Sequence, residues 1–177
     1  MYEENSNLNS PPYDARAVAN LILDLASLRK VKITQMQLLK ILYFCNGWYL
    51  AANGTRLVDQ DFQAWKYGPV IKIIADEFKR FGRDPITTRA ERFDIFTGEI
   101  LPVHPVSKKG DVDFIENIFE AYHIHDGWKL SEMTHERGSP WDRVWNSDRP
   151  IGRLGLRINE DDIKEHFQNL KRRFGVN

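Results

Sequence analysis

Cysteine is nearly absent. Cys45 stands alone among 177 residues, so no disulfide can form within the chain, and such usage suits a reducing compartment. Long apolar runs are missing too. No stretch approaches the ~20 residues that a helix needs to cross a bilayer, and the first residues carry neither the basic nor the apolar region of a secretory signal. The expectation is a cytoplasmic protein with no membrane role. A surplus of either charge is also lacking: 25 Lys and Arg face 25 Asp and Glu. Proteins dedicated to nucleic acid draw much of their affinity from neutralising phosphates and usually carry a basic excess. Nucleic acid is therefore not the expected partner, and Lys171-Arg172-Arg173 is the one compact basic run.

The motifs of common chemistries are missing as well. There is no phosphate-binding Gly-rich loop ending in Lys-Ser/Thr, no G-x-S-x-G elbow and no dinucleotide fingerprint. Gly152-Arg153-Leu154-Gly155 reads as a loop with two glycines rather than a phosphate cradle. His135-Glu136 begins like the helical zinc signature, but Ser139 occupies the place of the second histidine. His123 and His125 lack a carboxylate or thiol at ligand spacing and read as a solvated helix end. Cys45 lies between Phe44 and Asn46 in the most apolar segment, the setting of a structural thiol rather than a nucleophile. Glu160-Asp161-Asp162 suits a first helical turn, where acids complement the helix dipole. No catalytic residue, metal or cofactor is assigned, and the chain is not expected to be an enzyme.

What remains is a helical pattern with many aromatic rings. Hydrophobic residues make up 42% of the chain, enough for one core at this length. Residues 1–12 read as a flexible tail and 13–177 as a single domain. Val18, Leu21, Ile22, Leu25 and Leu28 form a helical stripe behind a cap at Asp14. Thr34 and Gln37 form a capping box. The helix that follows is apolar most of the way round and ends at Asn53-Gly54, so it should be central. Residues 62–67 read as a strand with Trp65 and Tyr67 on one face. Pro69 is expected in the first turn of a third helix that carries Val70, Ile73, Ile74, Phe78 and Phe81, with Gly82 as its stop.

Phe93-Asp94-Ile95-Phe96 and Ile100-Leu101 flank Thr97-Gly98-Glu99 as a hairpin. Asp111 is expected to cap a fourth helix, a short helix should follow Ser131, and Ser139-Pro140 should open another. Asn159 should cap the last, with Ile163, Phe167, Leu170 and Phe174 as its stripe. The fold class is mainly α (α+β), a compact cluster of five to seven helices with a small β-sheet or hairpin.

Five tryptophans are many for this length. Trp and Tyr are common in cores and dominate binding hot spots. The corner Trp65-Lys66-Tyr67-Gly68-Pro69 balances the two roles, with Lys66 pointing outward. His135 reads as a side chain that ties a short helix to its neighbours through ring hydrogen bonds.

Residues 38–50, LLKILYFCNGWYL, resemble the signature helix of the SocA-like antitoxins, the Panacea domain. Residues 64–70, AWKYGPV, resemble that family's most distinctive block, and residues 130–135, LSEMTH, with Pro140-Trp141 resemble a third. The order and spacing of the three agree, and the similarity runs from about Tyr13 to Phe167. Residues 86–106 and the N-terminal tail carry no matching block, and both are candidates for recognition of this member's own partner. The resemblance implies a prokaryotic or phage-borne antitoxin that neutralises a toxin by direct contact, the toxin being encoded beside it. It implies further that such a protein can act as an adaptor to the ClpXP protease, or by binding alone. On this basis Trp48, Trp65, Lys66, Tyr67, Gly68, Pro69, His135 and Trp141 are the candidate partner-binding or motif residues, as groove or as supporting core. A DNA-binding autorepressor is the alternative; a small hydrolase using His135 or Cys45 ranks last.

Overall fold

The computed structural model describes residues 9–147 and 156–174. The Gly152–Gly155 loop, residues 1–8 of the expected tail and the side chain of Phe174 fall outside that description. A helix that is apolar on every side has to be enclosed, and here the second one is. Helix α2 (Gln35–Asn53) buries every residue from Leu38 to Gly47, and α1 (Ala15–Leu28), α4 (Lys109–Tyr122), α5 (Gly127–Thr134) and α7 (Glu160–Phe174) all pack on it. Its ends are those the sequence specifies. Thr34 Oγ1 accepts from the Gln37 amide while Gln37 Oε1 accepts from the Thr34 amide at 3.0 Å. Gly54 stops the helix at φ 76°, where a Cβ would be strained.

Three short strands flank this bundle. β1 (Gln63–Trp65) pairs antiparallel with β2 (Gly68–Val70) on one side and β5 (Leu156–Arg157) on the other. β3 (Arg92–Phe93) and β4 (Ile100–Leu101) pair as a hairpin, but Asp94, Ile95 and Phe96, expected in its first strand, lie in the connecting turn. With α3 (Lys72–Phe78), a 3-10 turn at Lys79–Phe81 and α6 (Pro140–Trp145), the described residues contain seven α-helices. The class is mainly α with minor β.

Several local expectations shift for physical reasons. Pro69 lies in β2, not in a helix, and α3 starts at Lys72. β2 is an edge strand, where a residue without an N–H is tolerated. Tyr67 lies beyond β1, in the turn. Of the expected α1 stripe, Val18, Ile22 and Leu25 are buried and Leu21 half-buried, but Leu28 is exposed at the helix end, and Ala15, Ala19 and Ala26 complete the packed face. Asp111 does not cap α4. It sits inside the first turn, buried, and accepts from the phenols of Tyr13 at 2.7 Å and Tyr49 at 2.9 Å. Those partners come from 98 and 62 residues away, so no local pattern reveals them. α5 begins before Ser131, behind a cap at Asp126. Asp14, Ser139 and Asn159 cap α1, α6 and α7 as expected.

Candidate functional site

The register Trp65↔Gly68 leaves Lys66 and Tyr67 as a two-residue turn. Hairpins of this length usually put positive φ on the loop residues. Here Lys30 is the one non-glycine with positive φ among the described residues, and the left-handed conformation falls on Gly68, at φ 107°.

Three helices then take hold of three alternate carbonyls. Trp141 Nε1 on α6 donates to the Trp65 carbonyl at 2.8 Å. Ser131 Oγ on α5 donates to that of Tyr67 at 2.9 Å. Lys40 Nζ on α2 donates to that of Pro69 at 2.9 Å. Polar donors under a turn are costly to bury unpaired, so each bond both satisfies its donor and fixes the turn.

Gly68 is required by contact as well as by φ. A Cβ there would lie 2.5 Å from Thr134 Oγ1 and 2.8 Å from Lys40 Cε. Lys40 is among the largest fully buried side chains of the protein. Burial pushes its ammonium down to about 7, because charge is poorly solvated away from water. His135 stacks on Trp141, with centroids 3.8 Å apart and planes 15° from parallel. Its pKa lies below the ordinary value, first through burial and then through the Lys40 charge. The expected ring hydrogen bonds are not formed among the described residues, and Nε2 of His135 is buried without a partner. Stacking, not hydrogen bonding, couples this ring to α6.

The outer surface of the turn is different. Lys66 is exposed, and its Nζ lies 5.1 Å from the Tyr67 ring centroid. Tyr67 is 43% exposed and meets the edge of Trp128, itself 59% exposed, at 5.4 Å. Two large aromatic rings left in water beside a cation form a small, rigid patch of the kind that anchors protein contacts.

The eight candidates therefore divide. Trp65, Gly68, Pro69, His135 and Trp141 converge as the frame of the turn. Lys66 and Tyr67 form its exposed tip. Trp48 stands apart from them: its ring packs on Phe167 at 5.2 Å and its Nε1 donates to the Tyr122 hydroxyl at 2.8 Å. With Ala51, Phe114, Ile118 and Met133 it lines an apolar groove of about 460 Å³.

Lys40, Thr134 and Trp128 were not singled out from sequence. Lys40 had a legible signal, as the one charge in an apolar run from Leu38 to Cys45. Cys45 is buried and its thiol is pushed up by burial, far from thiolate reactivity. Among the described residues, no group of three or more His, Cys, Asp or Glu is placed to hold a metal. No described helix is long and apolar enough to cross a membrane.

Comparison with known proteins places these residues in a family context. The family described as antitoxin SocA-like, Panacea domain matches residues 38–142, a span from α2 to α6 that holds the whole frame of the turn. It runs through residues 86–106 too, so the hairpin lies inside the matched region. The protein named Antitoxin SocA from Caulobacter vibrioides (strain NA1000 / CB15N) is 36% identical over 158 residues, covering 89% of this chain and 84% of that protein. No solved structure matches.

Proposed function

The chain belongs to the SocA-like, Panacea-domain antitoxins, and on that footing we propose that it neutralises a protein toxin, the product of an adjacent gene, by gripping it directly. The contact surface is the Lys66–Tyr67 tip with Trp128 beside it. One observation carries this reading: three helices clamp the carbonyls of Trp65, Tyr67 and Pro69, while the side chains of Lys66 and Tyr67 are left in water. A turn held this firmly loses little entropy when a partner covers it. The role is regulatory, and the site offers anchors rather than a nucleophile set beside a base.

The balanced charge speaks against the DNA-binding alternative. So does the placement of the basic run, which closes α7 where cations complement the helix dipole. Arg173 there pairs with Glu136 at 3.3 Å, and Arg172 donates to Asn169 at 2.8 Å.

The test is co-expression with the product of the adjacent gene in a bacterial host. Growth arrest relieved by this chain, together with a complex that survives purification, is the expected result. A toxic neighbour that neither binds this chain nor is neutralised by it would overturn the reading. Repeating the rescue in a host without ClpXP separates the two modes. Rescue that persists means inhibition by occupancy, and rescue that is lost means delivery to the protease.

A further inference from the structure

Four of the nine exposed large apolar side chains among the described residues, the two most exposed included, gather on one small element. Phe93, Ile95, Phe96 and Ile100 all stand out on the β3–β4 hairpin, Phe96 at 94% exposure. Such a cluster is unfavourable in water and marks a contact site when it is held in shape.

This one is held at both tip and root. Asp94 Oδ1 accepts from the amides of Phe96 at 2.8 Å and Thr97 at 3.2 Å, and the Gly98 amide donates to the Asp94 carbonyl at 2.8 Å. Gly98 takes φ 74°, which closes the turn. At the root, Asn20 on α1 pairs with both backbone groups of Ala90, at 2.7 and 3.0 Å. The Ile86 amide donates to the Ile33 carbonyl at 2.9 Å, and Arg89 pairs with Asp24. These anchors belong to α1 and to the segment before α2, not to the helices that clamp the Lys66–Tyr67 turn.

The charges around the tip select its occupant. Residues 91–100 carry Glu91, Asp94 and Glu99 against Arg92 alone, and no ion pair among the described residues neutralises Glu91 or Glu99. A lipid surface with anionic headgroups would repel such a rim, since interfacial anchors are flanked by basic residues. A second copy would bring the same acidic rim against itself.

We propose that this hairpin is a second contact for the toxin, inserting Phe96 and Ile95 into an apolar cleft whose margin is basic. The inference rests on the proposed function and adds the chemistry of the partner's surface. The opposite charge at the cleft margin accelerates encounter, and the two apolar side chains set the lifetime of the complex.

The test measures binding of the full chain to the purified product of the adjacent gene, with the double variants I95S/F96S and E91K/E99K beside wild type. I95S/F96S should bind about 100-fold more weakly with a melting temperature within about 2 °C of wild type, because both side chains are exposed. E91K/E99K should associate about tenfold more slowly and lose most of its salt dependence. Unchanged affinity in I95S/F96S, while Tyr67→Ala weakens binding at least tenfold, would overturn the hairpin assignment and leave the proposed function standing. A wild-type chain that does not bind the neighbouring product at all would overturn both. Dimerisation, or co-sedimentation with phosphatidylglycerol vesicles, that I95S/F96S abolishes without changing toxin affinity would reassign the hairpin to a second copy or to lipid.

Discussion

Phe167 of α7 lies on the bare backbone of Gly47 in α2, so close that a Cβ at position 47 would fall 2.1 Å from its Cε2. The same ring meets Tyr43, Phe44 and Trp48 edge-on, so any shift of it disturbs three further ring contacts. The closest packing of the bundle, α2 against α7, depends on a residue that intrinsic propensity would disfavour in mid-helix.

Gly47→Ala should therefore destabilise the protein. Alanine gains up to about 1 kcal/mol of helix propensity over glycine, but overpacking a filled core costs about 1–3 kcal/mol. A lowered urea midpoint is expected, partly recovered when Phe167→Leu is added. A stabilised Gly47→Ala would show that α7 can move away freely.

Stability should rise between pH 7 and about 10. The folded pKa of Lys40 is about 7 against an ordinary value of 10.5. The unfolded chain binds the proton more tightly throughout that window, so this one group adds stability as pH rises. Above pH 10 the sign reverses. Burial raises the phenols of Tyr13, Tyr43 and Tyr49, the last to about 12, and their contribution fades as pH climbs past the unfolded value. Lys40→Met should flatten the slope between pH 7 and 10 in urea titrations. An unaltered slope would mean that Lys40 is not the group responsible.

His135→Phe should be neutral or stabilising by up to about 1 kcal/mol, since it keeps a ring on Trp141 and removes a buried nitrogen without a partner. It should also blunt acid sensitivity. The folded pKa of His135 is lowered, so its contribution is present above the ordinary value near 6.5 and lost as pH falls through the folded value. Thermal melts at pH 7 and pH 5 test both statements, and a variant less stable at pH 7 would refute the first.

Asp111→Ala should cost about 3 kcal/mol or more, because two phenols then lose a charged acceptor. Tyr13→Phe and Tyr49→Phe should each cost less. Their effects should vanish in the Asp111→Ala background, and full additivity in a double-mutant cycle would contradict the shared bond.

Trp141→Ala should abolish neutralisation and lower stability by about 3–5 kcal/mol, as removal of a buried ring does. Tyr67→Ala and Trp128→Ala should weaken toxin binding at least tenfold with little change in melting temperature. The split between the two behaviours, read by calorimetry and by growth rescue, distinguishes frame from contact surface.

The candidate site was half legible. The block from Trp65 to Pro69 and the outward aim of Lys66 could be read from residue order. What lies beneath the turn could not: Lys40, Ser131 and Trp141 reach it from 29 to 76 positions away, and hydrogen bonds over such separations leave no periodic trace.

Sequence alone determined what depends on neighbours a few residues apart. The box at Thr34 and Gln37, the stop at Gly54, the caps at Asp14, Ser139 and Asn159 and the 93–101 hairpin are all set by local backbone sterics and short-range bonds. Tertiary structure decided the rest. Pro69 became strand because an edge position and the Lys40 ammonium were available to it. Asp111 was drawn from a capping role into the core because two distant phenols could pair with its carboxylate. Packing brings together groups that the chain keeps far apart, and where their interaction outweighs a local preference of about 1 kcal/mol, the local preference yields.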